Sequence, residues 1–154
     1  MSGKIAIGKD ITLAGKVFGE IFNLPRQEMA DTEFDHLFLD GERISIGYFD
    51  AVALHVPDHT PADMAHIIGD AAFVGDTMFM PDAGTANADF PSGDASQLSQ
   101  SARHLLSLHP ETRLFLCYEY KAPGRSENKW ESTFAQQRMS NIHVRDCMSE
   151  DDFV

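Results

Sequence analysis

Two short stretches decide how this chain folds: Leu54-His55-Val56-Pro57-Asp58-His59-Thr60-Pro61 and, after a β-rich interval, Val74-Gly75-Asp76-Thr77-Met78-Phe79. His55 and His59 stand four apart, the spacing that puts two imidazoles on one face of a metal-binding helix. Pro57 lies between them, has no amide hydrogen and breaks any such helix. The region therefore reads as strand, turn, strand, turn, with His59 just past the first strand and Asp76 just past the second. Strand ends along one rim of an open sheet are where α/β folds hold reactive groups.

Working outward, Lys4-Ile5-Ala6-Ile7-Gly8 alternates as a strand, and Asp10 is placed to cap a sheet-covering helix through Ile11, Ala14, Val17, Phe18 and Ile21. Leu24-Pro25 ends that helix, and residues 26–33 read as a polar loop. His36-Leu37-Phe38-Leu39, Asp40-Gly41 and Arg43-Ile44-Ser45-Ile46-Gly47 read as a hairpin, because Asp-Gly suits a tight turn. Residues 48–55 alternate again. Residues 64–68 and 71–75, joined by Gly69-Asp70, read as a second, more buried hairpin. Residues 81–93 form a long loop of the kind that is usually functional or disordered. Asp94-Ala95-Ser96-Gln97 resembles a capping box before a helix with Leu98, Ala102, Leu105 and Leu106 on its inner face. Arg113-Leu114-Phe115-Leu116-Cys117 is a buried strand running into Tyr118-Glu119-Tyr120-Lys121. Ser126 is expected to cap a last full helix bearing Trp130 and Phe134, and residues 149–152 to begin another.

A chain of 154 residues with 43% hydrophobic and 23% charged side chains suits one soluble domain, residues 1–154. Its net charge of -12 repels phosphate backbones and anionic membranes, so neither nucleic acid nor a membrane is an expected partner. No signal-like or membrane-spanning apolar run occurs, which makes a cytoplasmic location the expectation. Cys117 and Cys147 form no Cys-x-x-Cys and are expected to be reduced, structural thiols.

His59, Asp76 and Tyr118 all fall at strand ends and can converge on one edge of the sheet. A neutral imidazole with a carboxylate suits a divalent metal, yet two protein ligands are fewer than a catalytic zinc or a non-haem iron takes. Asp58, His59 and Thr60 are also good turn formers, and Asp76 is placed to cap the next turn as an alternative to serving a site, so both readings stand. Tyr118 is a poor ligand for zinc, a better one for ferric iron, and otherwise a hydrogen-bonding residue at a strand end. Lys121 and Arg125 are candidates for receiving an anionic substrate or are solvated. His36, His66, His104, His109 and His143 are scattered over the remaining elements and suggest no site.

In order along the chain, His55-x-Pro-x-His59-Thr60-Pro61, Gly75-Asp76-Thr77-x-Phe79, Gly84-Thr85-Ala86 with Asp89-Phe90-Pro91, and Tyr118-x-Tyr120-Lys121-x-Pro123-Gly124-Arg125 resemble the metallo-β-lactamase superfamily, in its glyoxalase II and persulfide dioxygenase branch. The resemblance implies an α/β fold of αββα layers with metal at one edge. It implies thioester hydrolysis at zinc or persulfide oxidation at iron, with a small thiol or thioester as substrate. By position His59 and Asp76 match metal ligands, and Tyr118 stands where the family has its last histidine. Asn87 replaces a substrate-loop arginine, and no two histidines here are separated by one residue, so the family's His-x-His-x-Asp-His motif does not occur.

These readings converge on a partial αββα sandwich lacking its first strands and stopping inside a C-terminal helix. It would carry an incomplete site for one divalent ion, or none, with weak or absent turnover. The alternatives are a site completed by a second chain and a non-catalytic binding or regulatory domain that retains only the scaffold. Loss of leading strands would leave an apolar face and edge open, which invites homo-oligomers.

Overall fold

The computed structural model describes residues 3–23, 34–58, 60–88 and 93–153. The larger of two sheets has six strands ordered as in the chain: β3 (Glu42–Ile46), β4 (Phe49–His55), β5 (Met64–Ile68), β6 (Ala71–Phe73), β7 (Arg113–Phe115) and β8 (Glu131–Thr133). Neighbours run antiparallel except β6 and β7, which are parallel in the register Ala71↔Arg113, Phe73↔Phe115. Parallel neighbours require a crossover, and α2 (Ala95–Leu106) supplies it. The smaller sheet pairs β1 (Ala6–Gly8) in parallel with β2 (His36–Phe38) around α1 (Ile11–Ile21).

Alternation decides which sheet face is buried. Leu54, Ala65, Ile67, Ala72 and Leu114 share a face through the strand registers and meet Ala102, Leu105 and Leu106 of α2 and Phe134 of α3 (Phe134–Ser140). The inner residues expected for α2 are therefore those that build the core. Asp94 caps that helix by accepting from the amides of Ser96 and Gln97. The other face is covered at β5 by the small sheet. Phe38 lies edge-on to His66 at 5.4 Å, and Gly8 sits so close that a Cβ there would be 2.8 Å from Met64 Cγ. Beyond that cover the face is open: Ile46, Phe49 and Phe73 are 47%, 63% and 44% exposed. Phe73 stacks on Phe115 and Arg113 lies over the Phe115 ring.

Three expectations require correction. Residues 36–47 are not a hairpin. Asp40-Gly41 does turn the chain, but Glu42 reaches back to the Leu39 amide at 2.9 Å and to His36 at 2.6 Å. That turn hands the chain from one sheet to the other, and β3 pairs instead with β4 across Gly47-Tyr48. Ser126 caps no helix: Trp130 precedes β8, and α3 starts from Thr133, whose hydroxyl and the Gln136 side chain make a reciprocal capping box. Helix α1 buries only Ala14 fully, leaving Leu13 and Ile21 about half exposed. A last short helix, α4 (Glu150–Phe153), does form, and Phe153 packs on the core.

Candidate active-site cleft

The rim of the sheet builds a cleft from the C-terminal ends of its two parallel strands. Strand β6 runs through buried Val74 into Gly75, whose φ of +56° is the left-handed turn that glycine adopts freely, and the turn closes with the Thr77 amide donating to Val74 O at 3.2 Å. Asp76 is thereby lifted off the strand end. Strand β7 emerges beside it with Cys117, whose thiol faces Gly75 O at 2.9 Å and Asp76 Oδ1 at 2.8 Å. Burial, then the Asp76 carboxylate, pushes the Cys117 thiol up to about 12, so it stays protonated at neutral pH and serves Asp76 as a donor.

A cleft of about 640 Å³ opens past this pair, lined by Asp76, Tyr118, Tyr120 and Lys121 together with Thr85 and Asn87. Tyr120 stands edge-on to Phe79 at 4.9 Å and tilts against Tyr118. Lys121 takes a φ of +49°, an uncommon conformation for a residue with a side chain. The Glu119 carboxylate holds it there by accepting the Lys121 amide at 2.6 Å. Arg125 lies behind the wall. Its guanidinium grips Glu119 at 2.6 and 2.7 Å and Asp82 at 2.7 and 3.2 Å, bidentate to both. Hydrogen bonding from Arg125 draws Glu119 down to about 2 and raises Arg125 itself.

The segment that carries Thr85 is held from underneath. Buried Gln137 of α3 donates to Phe79 O at 2.9 Å and to Ser132 Oγ. Buried Asn141 donates to Gly84 O at 3.0 Å and accepts from the His143 and Val144 amides. An isolated bridge joins Met78 to Thr85, within the expected long loop.

Of the residues singled out by sequence, the structure brings Asp76, Tyr118 and Lys121 into one cleft and sets Arg125 one layer back. His59 lies outside the described residues. Among its described neighbours, Val56 N donates to Asp63 O at 3.0 Å and Thr60 N to Asp63 Oδ2 at 2.6 Å. His55 is engaged with Pro61 O at 2.8 Å. Cys117 is the residue sequence reasoning passed over. Parallel pairing of 71–73 with 113–115, had it been recognised, places residue 117 opposite residue 75.

No three His, Cys, Asp or Glu side chains cluster as a metal site among the described residues. At the rim itself the described donors are two, the Asp76 carboxylate and the Cys117 thiol 2.8 Å away, fewer than a catalytic ion takes. The described residues therefore do not by themselves fit a catalytic ion.

No family model matches the chain. It is 43% identical to a probable metallo-hydrolase of Burkholderia pseudomallei over 165 residues, spanning 100% of this chain and 56% of that protein. It is 39% identical to glyoxylase B2 of Dictyostelium discoideum, over 99% of this chain and 53% of that one. Among solved structures, ETHE1 from Myxococcus xanthus superposes with a TM-score of 0.69 at 26% identity, covering 79% of this chain and 50% of that chain. The chain thus spans about half the length of the curated relatives it matches. Layered strands and helices with a carboxylate at the sheet rim have the metallo-β-lactamase fold, shared with a B3 metallo-β-lactamase of known structure. The chain thus resembles the metallo-β-lactamase superfamily in both sequence and fold.

Proposed function

We propose that this chain is a metal-dependent hydrolase or persulfide dioxygenase relative, of the glyoxalase II branch, whose 154 residues supply only part of a metal site. In this reading Asp76 and His59 are the ligands it brings, for one zinc or iron ion, and Tyr118 stands at the last-histidine position. A small thiol or thioester enters the cleft along Lys121, and Arg125 braces the wall through Glu119. Turnover by this chain alone is weak or absent. The reading treats residues 1–154 as one domain in the cytoplasm, where both thiols remain reduced.

The observation that carries this is the Asp76 carboxylate, set on the cleft wall beside Tyr118 with the Cys117 thiol 2.8 Å away. The test is metal analysis of the protein after equilibration with zinc or ferrous iron and removal of excess, with hydrolysis of a hydroxyacylglutathione followed in parallel. Substoichiometric metal and negligible turnover are expected. A tightly held ion in every monomer overturns the proposal.

The open apolar face around Phe49 and Phe73 favours a second reading, in which another chain completes the site. Metal content and activity would then rise together with protein concentration. A protein that stays monomeric at every working concentration excludes it.

A further inference from the structure

Thr85 and Asn87 form a shared wall. On one side is the cleft; on the other is a smaller hollow of about 370 Å³ lined by Leu98, His143, Asp152 and Phe153. The wall is tied to the body of the protein at its hidden side by His143. The Thr85 amide donates to His143 Nδ1 at 3.1 Å, and the Thr85 hydroxyl lies 3.0 Å from the same nitrogen. The ring lies against Gly84, where an added Cβ would come within 2.3 Å of Nδ1, so the imidazole occupies space that only a glycine leaves free.

The two Thr85 contacts respond differently to a proton. An amide N–H can only donate, so its bond to His143 requires a bare Nδ1 and hence a neutral ring with its proton on Nε2. The hydroxyl can reverse, accepting from a protonated Nδ1 while its own hydrogen turns to Ala86 O, already 3.2 Å away. Protonating Nδ1 therefore leaves the hydroxyl satisfied and sets two N–H groups against each other at the backbone of Thr85.

We propose that His143 is a positioning residue for the cleft, holding the wall formed by Thr85, Ala86 and Asn87 in place while neutral and releasing it on protonation. It rests on the reading of the cleft as the site, and names how that site is regulated. The charged group sharing the hollow is Asp152 of α4, whose carboxylate is engaged by the Ser149 amide at 3.1 Å and hydroxyl at 2.6 Å. Helix α2 contributes Arg103, which spends its guanidinium on the carbonyls of Val144, Arg145 and Met148. In the chain just beyond His143, Arg145 donates to Cys147 Sγ at 3.2 Å and Asp146 pairs with Arg138 at 3.1 Å. Phe153 meets the ring edge-on. Burial lowers the His143 pKa below the usual imidazole value, so the neutral, clamped state prevails at neutral pH and release falls in mild acid.

The test is amide hydrogen exchange of Thr85, with imidazole nitrogen shifts of His143, followed by NMR from pH ~8 to ~5 in the metal-free protein. The expected result is a neutral ring protonated on Nε2 at the upper end, and a Thr85 protection factor that falls about ten-fold with the midpoint of His143 itself. His143→Asn, whose Oδ1 accepts the same amide without titrating, should keep Thr85 protected across the range. His143→Leu should leave it unprotected at every pH. A Thr85 protection factor that stays flat while His143 titrates, or a neutral ring carrying its proton on Nδ1, overturns the proposal. Neither the amide exchange nor the imidazole shifts depend on metal or turnover, so this clamp and the proposed function can fail separately.

Discussion

The Cys117 thiol and the Asp76 carboxylate meet at 2.8 Å across the ends of two parallel strands, and the carboxylate bears on the acidity of the thiol. Burial, and after it Asp76, pushes the Cys117 pKa up to about 12, and the thiol lies within hydrogen-bond reach of Asp76 Oδ1. Thiol reactivity follows the thiolate fraction, so Cys117 should alkylate far more slowly at pH ~8 than a cysteine in the unfolded chain. Asp76→Ala removes one of the causes and should speed alkylation by roughly ten-fold, the change that about one pKa unit brings. Peptide mapping after timed iodoacetamide treatment measures both. Equal rates in the two proteins would show that the pair is uncoupled.

Arg125 ties Glu119 to Asp82, and the sign of its pH effect is fixed by the direction of the Glu119 shift. A carboxylate held at about 2 in the fold, below its unfolded value, adds stability that is complete above the unfolded pKa and disappears as pH falls through the folded one. The loss should therefore run from pH ~4.5 to ~2. Arg125→Met should lower the melting temperature at pH 7 and flatten its decline over that acid window. Melting curves across the range check this; parallel curves for both proteins would mean that the ion pair does not set the titration.

Exposed Ile46, Phe49 and Phe73 share the sheet face opposite the core. Patches of this kind mark interaction surfaces or aggregation hazards. The chain should self-associate with rising concentration, and the double change Phe49→Ser and Phe73→Ser should shift light-scattering mass toward the monomer. A variant that associates as strongly as the parent would place the contact elsewhere.

The start of the last long helix offers a clean comparison between two candidate caps. Thr133→Ala should destabilise the protein by about 1 kcal/mol, whereas Ser126→Ala, in irregular chain before β8, should change it by less than ~0.5 kcal/mol. Chemical denaturation resolves the difference, and the reverse order would contradict the observed helix boundary.

That last case shows why parts of the fold were legible in sequence and others were not. Thr133-Phe134-Ala135-Gln136 carries the capping-box pattern, but Ser126 offers a competing cap, and β8 between them is only three residues long. Helix α2 was readable because Leu98, Ala102, Leu105 and Leu106 fall on one stripe and Asp94 precedes it. Residues 36–47 misled because Asp-Gly reports a turn and not which strands the turn will pair. The places of Asp76 and Tyr118 after apolar strands set both at the rim, and both line the cleft there. Cys117 was missed because its importance comes from parallel register, a non-local property with no periodicity of its own.

The same parallel register has a kinetic consequence. Asp76 and Tyr118 approach each other only after the chain between β6 and β7 has closed, with α2 docked and β7 laid alongside β6. Closing so long a crossover is slower than zipping the local β3–β4–β5 hairpins. The antiparallel meander should therefore gain protection early on refolding, and the rim that carries Asp76 and Tyr118 should be among the last parts to assemble.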